Sequence, residues 1–147
     1  MTITGRSESI QSHELAGQYI ERFVPTARPE DTASSVISNI TGATRQWESL
    51  TYIYVLDGSE RPIGIVTIED LFAALPMDIM SGIMRTDIRT VYPFVDQEEV
   101  VIAAIESDMD AIPAIDSEGR FIGAIDHDNI LGILHSENVE DFLRSSG

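Results

Sequence analysis

An internal repeat constrains this chain more than any other feature. Ile53–Leu75 (IYVLDGSERPIGIVTIEDLFAAL) lies over Ile112–Leu134 (IPAIDSEGRFIGAIDHDNILGIL) without a gap, at an offset of 59 residues. Ile53, Asp57, Arg61, Ile63, Gly64 and Leu75 fall on Ile112, Asp116, Arg120, Ile122, Gly123 and Leu134. Most other pairs keep apolar character, such as Leu56 with Ile115, Val66 with Ile125 and Leu71 with Ile130. Self-similarity over such a stretch means one supersecondary unit made twice, and the fold must accommodate both copies.

Each copy reads the same way. A short apolar run, Tyr52–Leu56 or Ala111–Ile115, ends in a polar turn, DGSERP or DSEGR. Asp, Gly and Ser in such clusters favour tight turns. A second short run follows, Ile63–Val66 or Phe121–Ile125, β-branched as buried strands are. A helix comes next. In the first copy Ile68, Leu71, Phe72 and Leu75 share one face; the twin uses Ile130, Leu131, Ile133 and Leu134. Upstream, each copy has an extended piece ending in proline, Thr26–Pro29 and Thr90–Pro93. A helix starts after each. Asp96 and Glu99 have capping-box spacing before VVIAAI, and Asp31 or Thr32 caps SSVISNI. Asp31 to Ile53 is 22 positions and Asp96 to Ile112 is 16, so the first copy carries six extra residues around TRQWESL. Ser12–Phe23 reads as a short helix ahead of the repeats, and residues 1–11 are polar.

A length of 147 residues suits one domain or two small lobes sharing a core. Acidic residues number 25 against 9 basic ones, giving a net charge of −16. Nucleic acid and anionic lipid both need a basic footprint, so neither is an expected partner. Cations are compatible partners, and a charged surface also simply keeps a protein soluble. Cysteine is absent, which removes disulfides, thiolate metal sites and cysteine nucleophiles. No apolar run reaches the ~18 residues needed to cross a bilayer. The N-terminus lacks the apolar core of a secretory signal, so the expected location is cytoplasmic, without membrane insertion. No Ser-His-Asp set, P-loop lysine or nucleophile elbow is present, and an enzyme is not expected. His13, His127 and His135 lack a common zinc spacing and read as surface residues. Trp47, in the first-copy insertion, reads as local core or as a lobe or dimer anchor.

A β-α-β-β-α unit present twice, with G-h-h-T-x-x-D entering the last helix, resembles a pair of cystathionine β-synthase (CBS) domains over roughly residues 20–137. ELAGQYI, ESLTYIYVLD, DQEEV, IPAIDSEGRFIGAI and the acidic ENVEDF are similar to the cytosolic CBS region of MgtE-type magnesium transporters. The resemblance implies an α/β fold of two repeats packed about a pseudo-twofold, and a homodimer. Residues 1–19 would be a tail and short helix, 20–78 the first CBS repeat, and 79–147 the second with an acidic C-terminal helix. It also implies a regulatory, ligand-sensing role, with a transmembrane transporter domain as partner. The alternative is a free-standing CBS pair that binds adenosine ligands and regulates another protein. That family's helical N-terminal domain and transmembrane helices lie outside this sequence, so the chain is expected to be a transporter fragment or a free-standing relative.

Two candidate sites follow. In GIVTIED, Gly64 allows close backbone approach, and Thr67 stands at the N-cap of a helix whose first N–H groups can meet a phosphate. Asp70 could accept from ribose hydroxyls. The resemblance gives Thr67 and Asp70 these roles toward AMP, ADP or ATP. The same two residues also make a capping box that needs no ligand. In the twin GAIDHDN, Asp126 and Asn129 replace them. Aspartate still caps a helix but repels phosphate, so at most one adenine nucleotide per chain is expected. The second site is acidic. By resemblance Asp96, Glu99, Asp128, Glu137, Glu140 and Asp141 bind Mg2+, which needs only one or two carboxylates and several waters. Cation binding would relieve repulsion and favour a compact state. Acids that cap and solvate helix ends give the other reading. Asn129, Gly132 and His135 stand where that family would place further acids.

Overall fold

The computed structural model describes residues 14–137. The two strand pairs form where the repeat places them. β1 (Thr26–Ala27) runs parallel to β2 (Tyr52–Leu56), which pairs antiparallel with β3 (Pro62–Thr67). β4 (Ile112–Ile115) pairs antiparallel with β5 (Phe121–Ile125), and Val91 adds a parallel bridge to Ala114. Helices α1 (Ala33–Thr41) and α2 (Ile68–Ala73) belong to the first copy. The one-turn α3 (Met80–Ile83) opens the second, followed by α4 (Gln97–Ser107) and α5 (His127–Ser136).

The duplicated turns have one chemistry. Asp57 Oδ1 accepts from Ser59 N and Arg61 N at 2.8 and 3.0 Å. Asp116 Oδ1 accepts from Glu118 N and Arg120 N, both at 2.9 Å. Each turn needs one left-handed residue. The second uses Gly119 (φ +84°), whereas the first uses Glu60 (φ +65°), whose carboxylate pairs with Arg28.

The lead-in segment of each copy docks on the other copy. Ala33 N donates to Asp78 O, and Gln97 N to Glu14 O, both at 2.8 Å. Met80 N donates to Asp31 O at 2.9 Å, and Ala16 N to Val95 O at 2.8 Å. Arg85 exchanges backbone bonds of 2.8 and 2.9 Å with Ile65; Glu21 does the same with Ala124 at 2.8 and 2.9 Å. These matched pairs are the pseudo-twofold. They supply carbonyls to the first N–H groups of α1 and α4, which every helix leaves unpaired. That supply explains a correction to the capping reading. Thr32 caps α1 through Ser35 N at 3.2 Å, but the Asp96 side chain makes no cap bond on α4. Glu99 N donates instead to the Asp96 main-chain oxygen at 2.9 Å.

β2 is buried on both faces, and its alternation divides the core. Tyr52, Tyr54 and Leu56 enter the larger cluster, with Val100, Ile112, Ile125 and Ile133 of the second copy. Ile53 and Val55 enter the smaller one, with Val36, Val66, Leu71 and Met80. The lobes therefore share a core through one strand.

Two further expectations are corrected. In place of a helix over Ser12–Phe23, a single 3₁₀ turn spans Ala16–Tyr19 and the chain is extended at Ile20. Pairing of Glu21 with β5 requires that extension; Ser12 and His13 lie outside the described residues. In α2 only Leu71 is fully buried, while Phe72 and Leu75 are 62% and 70% exposed. The helix ends at Ala73, so Leu75 never joins its buried stripe.

Candidate functional site: two pseudo-equivalent junctions

The last strand and helix of each copy meet the lead-in of the other. The first junction holds Gly64, Thr67 and Asp70. A Cβ on Gly64 would lie 2.6 Å from Met84 Sδ and 3.0 Å from Arg85 O, so glycine is needed for the lead-in to approach. Thr67 Oγ1 accepts from Asp70 N at 2.9 Å, which is the capping half of the sequence reading. The Asp70 carboxylate is exposed. Arg85 Nη1 donates to Asp108 O at 3.2 Å and Arg85 Nη2 to Ser107 O, closing the C-terminus of α4. Its Nε donates to Asp87 Oδ1 at 2.7 Å, and that bond holds the Asp87 carboxyl below the ordinary carboxylate value. Asp110 N donates to the Tyr52 hydroxyl at 2.9 Å. Burial, ahead of charge effects, pushes that hydroxyl's pKa up.

The second junction holds Gly123, Asp126 and Asn129. Gly123 has φ +147°, and a Cβ there would lie 2.5 Å from Glu21 O. Asp126 does not cap α5, contrary to its sequence reading; its Oδ1 accepts instead from the Thr51 hydroxyl. Asn129 Nδ2 donates to Tyr19 O at 3.1 Å and ties the lead-in down. Under the offset of 59, Asp110 stands where the first copy has Thr51. The two junctions thus exchange one threonine and one aspartate.

A cavity of about 430 Å³ opens at the second junction, lined by Ile20, Arg22, Phe23, Arg45 and Glu48. Glu48 Oε1 accepts from Arg22 N and Phe23 N, both at 2.9 Å. Phe23 is sandwiched, with Trp47 stacked at 4.3 Å and the Arg45 guanidinium 4.2 Å from its ring centre. Trp47 Nε1 donates to Ile40 O at 3.1 Å, fixing the stack to the end of α1. The sequence reading missed Arg22, Phe23, Arg45 and Glu48. The signal for Arg45 and Glu48 was the six-residue insertion, read only through its tryptophan; Arg22 and Phe23 lie in the lead-in that was read as a helix.

The acidic candidates are spread out. Among the described residues no group of three or more His, Cys, Asp or Glu is placed to hold a metal ion. Asp96 Oδ1 is buried without a hydrogen-bond partner. Beside it, Gln97 Nε2 donates to Glu137 Oε2 at 2.7 Å, and Gln97 Oε1 accepts from the Tyr19 hydroxyl at 2.9 Å. Glu99 and Asp128 are exposed on different helices. Asp128 and Glu137 stand at opposite ends of α5, roughly 14 Å apart along its axis. Glu140 and Asp141 lie outside the described residues.

The CBS domain family matches residues 16–77 and 79–136. The chain belongs to the CBS domain family. Its two copies are those two matches, with boundaries at the lead-ins. This CBS pair is 33% identical over 131 residues to the magnesium transporter MgtE of Thermus thermophilus, covering 89% of the chain and 29% of that relative. It is 28% identical over 95 residues to MgtE of Bacillus subtilis, covering 65% of the chain and 21% of that relative. The chain therefore spans under a third of the length of these relatives. A solved cytosolic domain of the Mg2+ channel MgtE in complex with ATP superposes with a TM-score of 0.76 at 27% identity, covering 88% of this chain and 55% of that one. No helix among the described residues is long and apolar enough to cross a membrane.

Proposed function

We propose that this CBS pair is the regulatory, non-catalytic ligand-sensing part of an MgtE-like magnesium transport system, at the cytosolic face of the membrane. Its inputs are Mg2+ and one adenine nucleotide, and its output is a change in packing passed to a transmembrane partner. The observation that carries this reading is the pair of junctions, each walled by the lead-in of the opposite copy. A ligand there bridges both copies and can bias how they pack. The likeness to the ATP-bound MgtE domain supplies the ligand class.

In the first junction Gly64, Thr67 and Asp70 hold the nucleotide, with the exposed Asp70 carboxylate accepting from the ribose hydroxyls. The second cavity supports a second reading of placement. Arg22 and Arg45 are exposed cations of a kind suited to phosphates. Titration of AMP, ADP and ATP into Asp70→Ala and Arg45→Ala separates the two. At least tenfold weakening confined to Asp70→Ala supports the first junction, and weakening confined to Arg45→Ala supports the second.

The Mg2+ ligands proposed are Asp96, Glu99, Asp128, Glu137, Glu140 and Asp141, acting in ones and twos with waters. The orphaned Asp96 oxygen favours its place in that set. Protection of segment 96–141 from hydrogen exchange should rise with millimolar Mg2+; an unchanged profile counts against these ligands. The free-standing alternative is decided by the coding sequence beyond Gly147. Hydrophobic spans there support the transporter reading, and a stop codon supports the alternative.

A further inference from the structure

The first junction is rimmed by carboxylates from three elements. Glu69 and Asp70 occupy the first turn of α2. Tyr52 stands opposite Thr67 across the strand pair, and Asp110 N donates to the Tyr52 hydroxyl at 2.9 Å, which brings Asp110 beside the start of β2. Arg85 stands opposite Ile65; its Nε donates to Asp87 Oδ1 at 2.7 Å and its Nη1 to Asp108 O at 3.2 Å. Asp70, Asp87, Asp108 and Asp110 are all exposed.

Little positive charge offsets them. Arg85 is engaged on all three guanidinium nitrogens, with Asp87, Asp108 O and Ser107 O as acceptors. Arg89, further along the lead-in, pairs with Glu106 at 2.7 Å. Among the described residues no ion pair reaches Asp70, Asp108 or Asp110. Helix α2 has only six residues, Thr67 Oγ1 already takes Asp70 N, and the acids of its first turn already answer its positive end. A phosphate chain beside Thr67 therefore meets like charges, and the repulsion grows with each phosphate. A divalent ion on the phosphates removes it. Mg2+ is commonly held by one or two carboxylates together with phosphate oxygens and waters. Among the described residues no three acids are placed to hold an ion by themselves, so the phosphates would complete the set.

We propose that the first junction takes its nucleotide as the Mg2+ complex and disfavours the free nucleotide, with Asp108 and Asp110 setting this charge preference. The proposal rests on the placement of the nucleotide in the first junction. The two inputs of the module then arrive as one ligand, and occupancy follows Mg2+-bound nucleotide rather than total nucleotide. The acids are exposed, so added salt screens the preference.

The test is calorimetric titration of adenosine, AMP, ADP and ATP into the full chain at low ionic strength, once in EDTA and once in millimolar Mg2+. In EDTA the affinity should fall in that order. Mg2+ should tighten ATP about tenfold or more and leave adenosine unchanged. Raised salt should narrow the gap, and so should Asp108→Asn with Asp110→Asn. ATP binding as tightly in EDTA as in Mg2+ would overturn the proposal while leaving the nucleotide site in place. Equal tightening of adenosine and ATP by Mg2+ would do the same, since the ion would then act away from the phosphates. Both comparisons use the wild type and need no variant to fold. If Asp70→Ala weakens none of the four ligands, the placement in the first junction fails and the proposal fails with it.

Discussion

At the scale of single residues, the strained backbone positions are the most open to test. Asp108 closes α4 in the left-handed region, with φ +56°. Aspartate tolerates this conformation and glycine adopts it freely. Asp108→Gly should raise stability by about 0.5–1 kcal/mol, read as a higher unfolding midpoint. Gly123→Ala should do the opposite. Its Cβ would lie 2.5 Å from the Glu21 carbonyl at φ +147°, so a loss of about 1–3 kcal/mol or more is expected from overpacking alone. Gly132 has nothing within 4 Å of its Cβ position and serves as the control; Gly132→Ala should be neutral or stabilising. The turn aspartates set one pH limit. Backbone N–H donors lower the carboxyls of Asp57 and Asp116, with Arg61 N and Arg120 N the largest contributors. Their contribution is present above the unfolded value near ~4 and is lost as pH falls through the folded value. Both are half-buried and bonded locally, so acid should weaken the turns gradually.

At the scale of elements, the repeat was legible and its docking was not. Strand positions, both aspartate turns and the Thr67 cap followed from local chemistry, because turns, caps and β-branched runs are decided within a few residues. The exchange of lead-ins was not readable. It is decided by which carbonyls reach the first N–H groups of α1 and α4, a tertiary matter. The helix expected over Ser12–Phe23 fails for this reason: extended pairing of Glu21 with Ala124 outweighs local helix preference. Asp96 and Asp126 fail as caps on the same logic, one because Glu14 O already serves Gln97 N, the other because Thr51 claims its carboxylate. Gly64 and Thr67 could be placed from sequence alone. The cavity of Arg22, Phe23 and Arg45 could not, because its walls come from segments that meet only when the copies dock. A chain lacking residues 1–23 should therefore lose the β5 edge partner and the carbonyls that close α4. Its cooperative unfolding transition should be lost or move to much lower temperature by circular dichroism.

At the scale of the whole molecule, three of the exposed apolar side chains stand close together in sequence. Phe72, Leu75 and Met77 are 62%, 70% and 76% exposed, clustered in sequence at and after α2. We propose that this face is the homodimer contact of the CBS pair, since soluble monomers seldom leave such groups together in water. Light scattering should report twice the chain mass for the wild type, and Phe72→Asp with Leu75→Asp should give the monomer. The surplus of acids bears on the same scale. A chain with net charge −16 resists compaction, and Mg2+ should relieve that repulsion. The central claim is that the two junctions read a ligand and that the copies, though twins in backbone, are not twins in chemistry. It is tested most directly by calorimetric titration of ATP into the full chain in Mg2+ buffer. One site per chain, weakened at least tenfold by substitution within a single junction, is the expected result. Two equal sites per chain, or no binding at all, would contradict it.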